Sequence, residues 1–579
     1  MLLTTNLRVS CASVLLVCCT VVCAQTQPQT PAPAAANTEE PALGTITGSV
    51  VNESGQPLAG ASVTIRDVNP VGLGKSSTTD SDGNFRFTGL GPSLYYIYAY
   101  LATYVAAVPF DPTSLSSHHR LGDSVRIEMV RGGVITGTVT TASGDPVVGI
   151  RVRSAMIRTT KGEAPQYGSF AFTERTTDDR GVYRIFGMPA GTYLVSAGGS
   201  GSPQAFSISP FDWDMPTYSP SATRDNAAEI SVRPGEETTA DIRYRGEPGH
   251  SVSGTVKLTG QSNASVSITA VGSILPLANT FQPPGNRGFA FNGIGDGEYD
   301  VVAQEVKAGS AFAVIPDLLM SEPRRITVKG SDVTGLELVP RPLSSITGRI
   351  VLEPAKIPAC EGKRRPLYSE MLIVPQRPEK DPNDKDSPAF LRILSGSTSP
   401  DAKGDFTLHN MTPNRYLLDT RFYARYWYLS SITLPGTPKV DAAANWTTLK
   451  AGEQIANLTI TIAEGAASVR GSVSAASGEI PTGVGVYLLP AEREKVADVL
   501  RYFVAPVLAD GTFTLGSIPP GRYLASVQPL DSQTSTIYKL RLPEAGEKRT
   551  KLRRAAETQK TDLELKPCQN LIEQKLSIK

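Results

Sequence analysis

The chain has 579 residues, enough for three to six domains at roughly 100–200 residues each. Its 56 Lys and Arg face 55 Asp and Glu, and without residues 1–24, whose one charge is Arg8, the counts are 55 and 55. A neutral chain lacks the electrostatic footprint of a nucleic-acid binder; 52 Gly and 44 Pro in a chain that is 40% hydrophobic exclude a coiled coil, a wholly disordered chain and a multispanning membrane protein.

The N-terminus carries Arg8, then an apolar run from Val14 to Cys23 broken only by Thr20. A positive residue, a short hydrophobic stretch and small residues at its end predict a secretory signal peptide, 1–24, cleaved after Ala24. The run is too short to span a bilayer, which takes about 20 apolar residues. Cys11, Cys18, Cys19 and Cys23 leave with the leader, and no lipid anchor is expected. Residues 25–43 are rich in Pro and Ala and poor in large apolar side chains, so they read as an extended linker.

From residue 44 onward the chain repeats itself. The first marker is a glycine in an apolar strand, at Gly48, Gly137, Gly254, Gly348 and Gly471. The second is an aromatic with apolar residues two and five later and a tyrosine ten later. It occurs as Phe85/Phe87/Leu90/Tyr95, Tyr183/Ile185/Met188/Tyr193, Phe289/Phe291/Ile294/Tyr299, Phe406/Leu408/Met411/Tyr416 and Phe513/Leu515/Ile518/Tyr523. The third is a closing strand of period two, read at 124–130, 239–245, 333–339, 456–462 and 561–566. The units run 44–131, 132–247, 248–341, 342–465 with a long insert at 354–404, and 466–579.

Alternation such as Tyr193-Leu-Val195-Ser-Ala197 suits a half-buried strand, and pairs such as Asp82-Gly83 and Asp510-Gly511 suit hairpin turns. Short strands with turn signals every 8–12 residues predict an all-β fold: five tandem immunoglobulin-like or prealbumin-like β-sandwiches. Tyr95, Tyr193, Tyr299, Tyr416 and Tyr523 are expected as structural corner residues, each hydroxyl bonded to nearby backbone.

Gly55-Gln-Pro-Leu-Ala-Gly60-Ala-Ser-Val63 followed by Thr79-Asp-Ser-Asp-Gly83-Asn-Phe85 resembles the carboxypeptidase regulatory-like domain, and Ser143-Gly-Asp-Pro146-Val-Val-Gly149-Ile-Arg-Val152 repeats the pattern. The third and fourth units depart from it in the first hairpin, and the fifth keeps part of it. The resemblance implies a seven- or eight-stranded, transthyretin-like sandwich related to collagen-adhesin B-type repeats and starch-binding folds. It also implies an accessory module without chemistry of its own. The lysine–asparagine crosslinks of the related adhesin repeats are not expected, because Lys257 is the one first-strand lysine and its closing strand has no asparagine.

Candidate sites are few. His118 and His119 lie in a Ser-rich stretch expected to be an exposed loop, and His409 fills a strand slot held elsewhere by Thr88, Phe186 or Gly516. No nucleophile–base motif, zinc-ligand set or phosphate loop accompanies them, so neither catalysis, metal nor cofactor is expected. The Asp80–Asn84 acidic turn reads as turn chemistry, not as a calcium loop. Aromatics crowd three segments: Tyr95, Tyr96, Tyr98, Tyr100 and Tyr104; Phe211, Trp213 and Tyr218; and Phe422, Tyr423, Tyr426, Trp427 and Tyr428. Trp213, Tyr218, Tyr426 and Trp427 are the candidate ligand contacts, with Trp213 and Trp427 expected to be exposed, and in the first segment one parity, Tyr96/Tyr98/Tyr100 or Tyr95/Ile97/Ala99, must face outward. The mature chain keeps Cys360 and Cys568. Their even number favours a disulfide; an odd-stranded sandwich would separate them by about 30 Å, so pairing needs the fifth unit to fold back or the insert to reach across, and both outcomes stay open. The basic run Lys548–Arg554 reads as a solvated loop or helix face.

Three functional readings follow: a non-catalytic binding or structural protein of the cell envelope, a carbohydrate-binding protein acting through exposed aromatics, or a regulatory or folding partner of an exported peptidase. In each the partner is a protein or glycan surface, and the chain is exported to the periplasm, outer surface or medium.

Overall fold

Each repeat is organised by its opening strand, at Gly44–Asn52, Gly133–Thr140, His250–Val256, Ser344–Glu353 and Ala467–Ala475. On one side the opening strand pairs antiparallel with the strand carrying the aromatic marker, and this pairing sets Gly48 opposite Phe85, Gly137 opposite Tyr183, Gly254 opposite Phe289, Gly348 opposite Phe406 and Gly471 opposite Phe513. On the other side it pairs in parallel with the closing strand. A Cβ at Gly48 would collide with the carbonyl oxygen of Val125 and the ring of Phe85. The glycine is needed because the parallel neighbour passes that close, and the opposing ring fills the space it leaves.

The computed structural model describes residues 43–578 apart from 70–73, 109–110, 112–113, 163–171, 200–208, 259–261, 274–275, 307–317, 379–395, 437–439, 476–482, 531–536 and 560. The expected leader, nearly all of the linker and part of the 354–404 insert lie outside the described residues. The fold is all-β and immunoglobulin-like. Among the described residues the strands form ten sheets, and in the first repeat a four-stranded sheet (84–90, 44–52, 124–131, 104–106) faces a three-stranded one (75–78, 62–67, 95–100) over a shared apolar cluster. Separate clusters fill the second, third, fourth and fifth repeats.

The marker tyrosines lie at or near the start of a strand of the second sheet in each repeat. Tyr95, Tyr193, Tyr299, Tyr416 and Tyr523 are at most 7% exposed. Each hydroxyl donates to the carbonyl four residues back, Gly91, Pro189, Gly295, Thr412 and Pro519, at 2.8–2.9 Å. The ring fills the core while its one polar atom is satisfied locally, which removes the desolvation cost of burying a phenol.

One expectation is corrected and two open ones take a definite form. The strand 561–566 does not close the fifth repeat: Thr561–Leu565 pairs with Gly521–Pro529 in the opposite sheet, and Asn570–Ile578 is the strand parallel to the opening one. A bulge at Glu573 breaks the alternation of that true closing strand and hides it from a period-two reading. Residues 546–559, which contain the basic run, form a helix that packs Leu552 and Ala556 into a cluster with Leu540 of the short helix Ile537–Arg541. Cys360 and Cys568 form a disulfide linking residues 208 apart in sequence, with Cα atoms 5.5 Å apart. The fourth and fifth repeats do fold against each other: Cys568 N–H donates to Gly465 O, at the junction between them.

Contacts also run out of sequence order. The first repeat meets the second through Gly132 N–H to Thr103 O, the second meets the third through Gly249 N–H to Trp213 O, and the third meets the fourth through Leu318 N–H to Asn410 Oδ1. The fourth then returns to the first. Leu94, Leu372 and Val374, all fully buried, form one apolar cluster with Val68, Leu115 and Tyr423.

Candidate functional site

The three aromatic segments have different fates. In the strand Tyr95–Tyr100, Tyr95 points into the core and Tyr96, Tyr98 and Tyr100 point outward. Tyr98 is 38% and Tyr100 54% exposed. The rings of Tyr96 and Tyr98 stack with centroids 6.2 Å apart and planes 18° apart. The neighbouring strand Ser62–Asp67 sets Arg66 opposite Tyr96, Thr64 opposite Tyr98 and Ser62 opposite Tyr100. Arg66 bonds to both Tyr96 and Tyr98, and Thr64 shares a hydrogen bond with Ser76 at 3.1 Å. The sheet therefore presents a flat stripe of phenol rings bordered by hydroxyls and one guanidinium. Such a face can stack on sugar rings or on a protein surface and donate hydrogen bonds at its margin.

Trp213 is 56% exposed at the end of the short helical turn Pro210–Trp213. Its backbone is held by the Ser209–Asp212 capping box, an Arg151–Asp212 ion pair and the Gly249 bond to its carbonyl. Tyr218 is half-buried beside Arg153 and Arg224, and burial raises its hydroxyl pKa.

The third segment is absorbed by packing. Trp427 is fully buried, contrary to the expectation of an exposed contact, because its strand Trp427–Leu434 lies against the closing strand and the indole enters the main cluster of the fourth repeat. Tyr426 is half-buried at the disulfide junction: its hydroxyl accepts from Asn570 Nδ2 at 3.0 Å, its carbonyl accepts from Gly465 and Ala466, and Lys363 Nζ lies 4.9 Å from its ring centre. Tyr426, Cys360 and Cys568 thus meet at one place, away from Trp213 and Tyr218 in the second repeat. That junction gains an Arg541–Asp419 ion pair at 3.2 Å and a Trp446 Nε1 bond to Glu544 at 3.1 Å.

The histidines do not assemble a reactive site. His118, expected in an exposed loop, is 3% exposed, and its Nδ1 lies 2.8 Å from Ser114 O. Burial lowers the pKa of both His118 and His119. His409 lines an open groove of about 740 Å³ with Thr347, Arg349, Asp405, Thr407 and Asn69, and Arg349 and Asp405 are paired at 2.6 Å. A similar groove of about 510 Å³ occupies the matching place in the first repeat, over Gly48. Among the described residues His409 is hydrogen-bonded to none of the hydroxyls of its groove. Asp80 Oδ1 accepts from the N–H groups of Asp82 and Asn84, and Asp178 and Asp401 bond in the same way, so these carboxylates serve their turns. Among the described residues no three His, Cys, Asp or Glu side chains gather as a metal site, and no helix is long and apolar enough to cross a membrane.

Asn69 and Trp446 make contacts that the sequence reading did not name, and Tyr423 was named only as part of its aromatic segment. One signal for Tyr423 was available: the strand Met371–Gln376 is apolar on both faces, so its second face needs a cover.

Residues 45–114 match the carboxypeptidase regulatory-like domain. No curated protein matches the chain. Among solved structures, the TIE protein of Bacillus anthracis is 14% identical over 52% of this chain and 51% of its own, with a TM-score of 0.14. The chain thus spans about half of that protein. The minor pilin GBS52 of Streptococcus agalactiae is 14% identical over 35% of this chain and 96% of its own, with a TM-score of 0.19. The shaft pilin SpaA of Lactobacillus rhamnosus GG is 11% identical over 35% and 98%, with a TM-score of 0.17.

Proposed function

We propose that the chain is a non-catalytic, exported binding and structural protein of the cell envelope, built from five sandwiches at 44–131, 132–247, 248–341, 342–465 and 466–579. One observation carries the reading: the repeated aromatics are buried in the cores, and the outward stripe Tyr96, Tyr98 and Tyr100 is set on a scaffold tied by a disulfide and by contacts between distant repeats. A stiff scaffold lets an exposed aromatic face bind without first losing conformational entropy. The test is a pull-down from envelope extract with the mature chain. Retention of envelope material by the native chain and its loss in the Tyr98→Ala/Tyr100→Ala variant supports the reading, and equal retention by both refutes it.

The near-parallel Tyr96 and Tyr98 rings favour carbohydrate as the surface that is met, since stacked phenols suit the apolar faces of sugar rings. A glycan array probed with the native chain and the same variant tests this second reading. Signal lost with the tyrosines favours a glycan, and a blank array with a positive pull-down favours a protein.

A further inference from the structure

The contact between the first and fourth repeats is polar at its rim and apolar at its centre. The Tyr423 hydroxyl reaches the carbonyls of Leu115 at 3.1 Å and His118 at 2.6 Å, so its single proton serves a loop of the first repeat. Arg120 lies 4.7 Å from the centre of the Tyr423 ring and 3.9 Å from Glu370, which Arg364 also holds. Asn69 Oδ1 accepts from Thr398 Oγ1 and Ser399 N–H. Beneath these bonds, Leu94 covers Leu372 and Val374.

The residue whose carbonyl receives the shorter Tyr423 bond is a buried histidine. Its Nδ1–H donates to Ser114 O, and with the residue 3% exposed, burial favours the neutral form of the ring. Asp111 and His119 from its own segment and Arg421 from the fourth repeat act on it, Tyr423 holds its carbonyl, and Arg120 pairs beside the segment with Asp123 and Glu370. Arg421 opposes a second positive charge here and Asp111 favours one, but burial outweighs both and holds His118 below its ordinary value.

We infer that this contact is an acid-opened latch: protonation of His118 releases the segment Ser114–Arg120 from Tyr423 and frees the first repeat from the fourth. The sign follows from linkage. A histidine that is neutral when buried supports the closed state above its open-state value of about 6.5, and below that the closed-to-open ratio falls by up to tenfold per pH unit until the closed-state value is reached. The latch sits beside the tyrosine stripe, since Tyr95 N–H and His119 O pair at 2.7 Å.

The test is hydrogen exchange over residues 114–120 of the full mature, oxidised chain, with small-angle scattering, from pH 7.5 to 5. Exchange there is expected to speed at least tenfold beyond the intrinsic pH effect, and the radius of gyration to grow. His118→Gln flattens both responses, His119→Gln keeps them, and Tyr423→Phe loosens the segment at every pH. If His118→Gln does not fold, titration of the His118 ring by NMR in the native chain replaces it, with a midpoint below 6.5 that coincides with the exchange midpoint. Exchange that stays flat to pH 5, a pH response retained in His118→Gln, or a ring midpoint apart from the exchange midpoint overturns the latch.

Discussion

Gly48 lies directly across from Phe85 on adjacent strands, and the ring of Phe85 occupies the space where a side chain at 48 would stand. The pairing recurs in all five repeats, and the rings of Tyr183 and Phe406 stand in the same way against Gly137 and Gly348. The two sequence markers are thus halves of one packing unit. Gly48→Ala is expected to destabilise the first repeat by about 3 kcal/mol, because a methyl there must displace both the ring and the backbone of the closing strand. Gly516→Ala, which meets nothing within 4 Å, should stay within about 0.5 kcal/mol of the native chain. Urea unfolding of both variants decides the point.

The corner tyrosines give the fold an alkaline limit. Burial pushes the hydroxyls of Tyr95 and Tyr299 up to about 12 and raises those of Tyr193 and Tyr523 as well. An unfolded tyrosine titrates near 10, so their contribution is complete below about pH 10 and is lost as pH rises through 12. Denaturant midpoints should hold from pH 8 to 9.5 and then fall. Tyr193→Phe, which leaves Pro189 O without its donor, should cost about 1–2 kcal/mol at neutral pH.

Glu573 has φ +61° in the closing-strand bulge, where the third and fourth repeats carry Gly335 and Asn457. An L-residue with a long side chain is strained in that region. Glu573→Gly should stabilise the fifth repeat by about 0.5–1 kcal/mol, measured by thermal unfolding, and a loss of stability would contradict the assignment of the bulge.

Joining Cys360 to Cys568 closes a loop of about two hundred residues. Removing the pair as Cys360→Ser/Cys568→Ser should cost about 5 kcal/mol by the chain-entropy argument. Proteolysis should then cut first near the junction at Gly465. Unchanged cutting would mean that the Arg541–Asp419 pair and the shared apolar cluster hold the repeats together unaided.

The opening strands, the aromatic hairpins and the corner tyrosines were legible because each depends on neighbours within one repeat, where period and spacing carry the information. Three features were not. Trp427 sits in an arginine-flanked segment that reads as surface, yet its strand lies against the closing strand and the indole faces inward. His118 lies among serines, and the bond to its carbonyl comes from Tyr423, about three hundred residues away. The closing strand of the fifth repeat was misplaced because Glu573 adopts a glycine-like conformation without being glycine. Local pattern reports the sandwich; contacts between repeats leave only faint traces, such as the two-sided apolar strand Met371–Gln376.

The claim that inward aromatics build the scaffold while outward ones meet the ligand is tested most directly by separating the two sets in one experiment. Unfolding midpoint and retention of envelope material are measured on Tyr98→Ala/Tyr100→Ala and on Tyr193→Phe/Tyr523→Phe. The account predicts that the first variant loses binding at unchanged stability and the second loses stability at unchanged binding while folded. Undiminished binding in the first variant, or lost binding in a folded second variant, would contradict it.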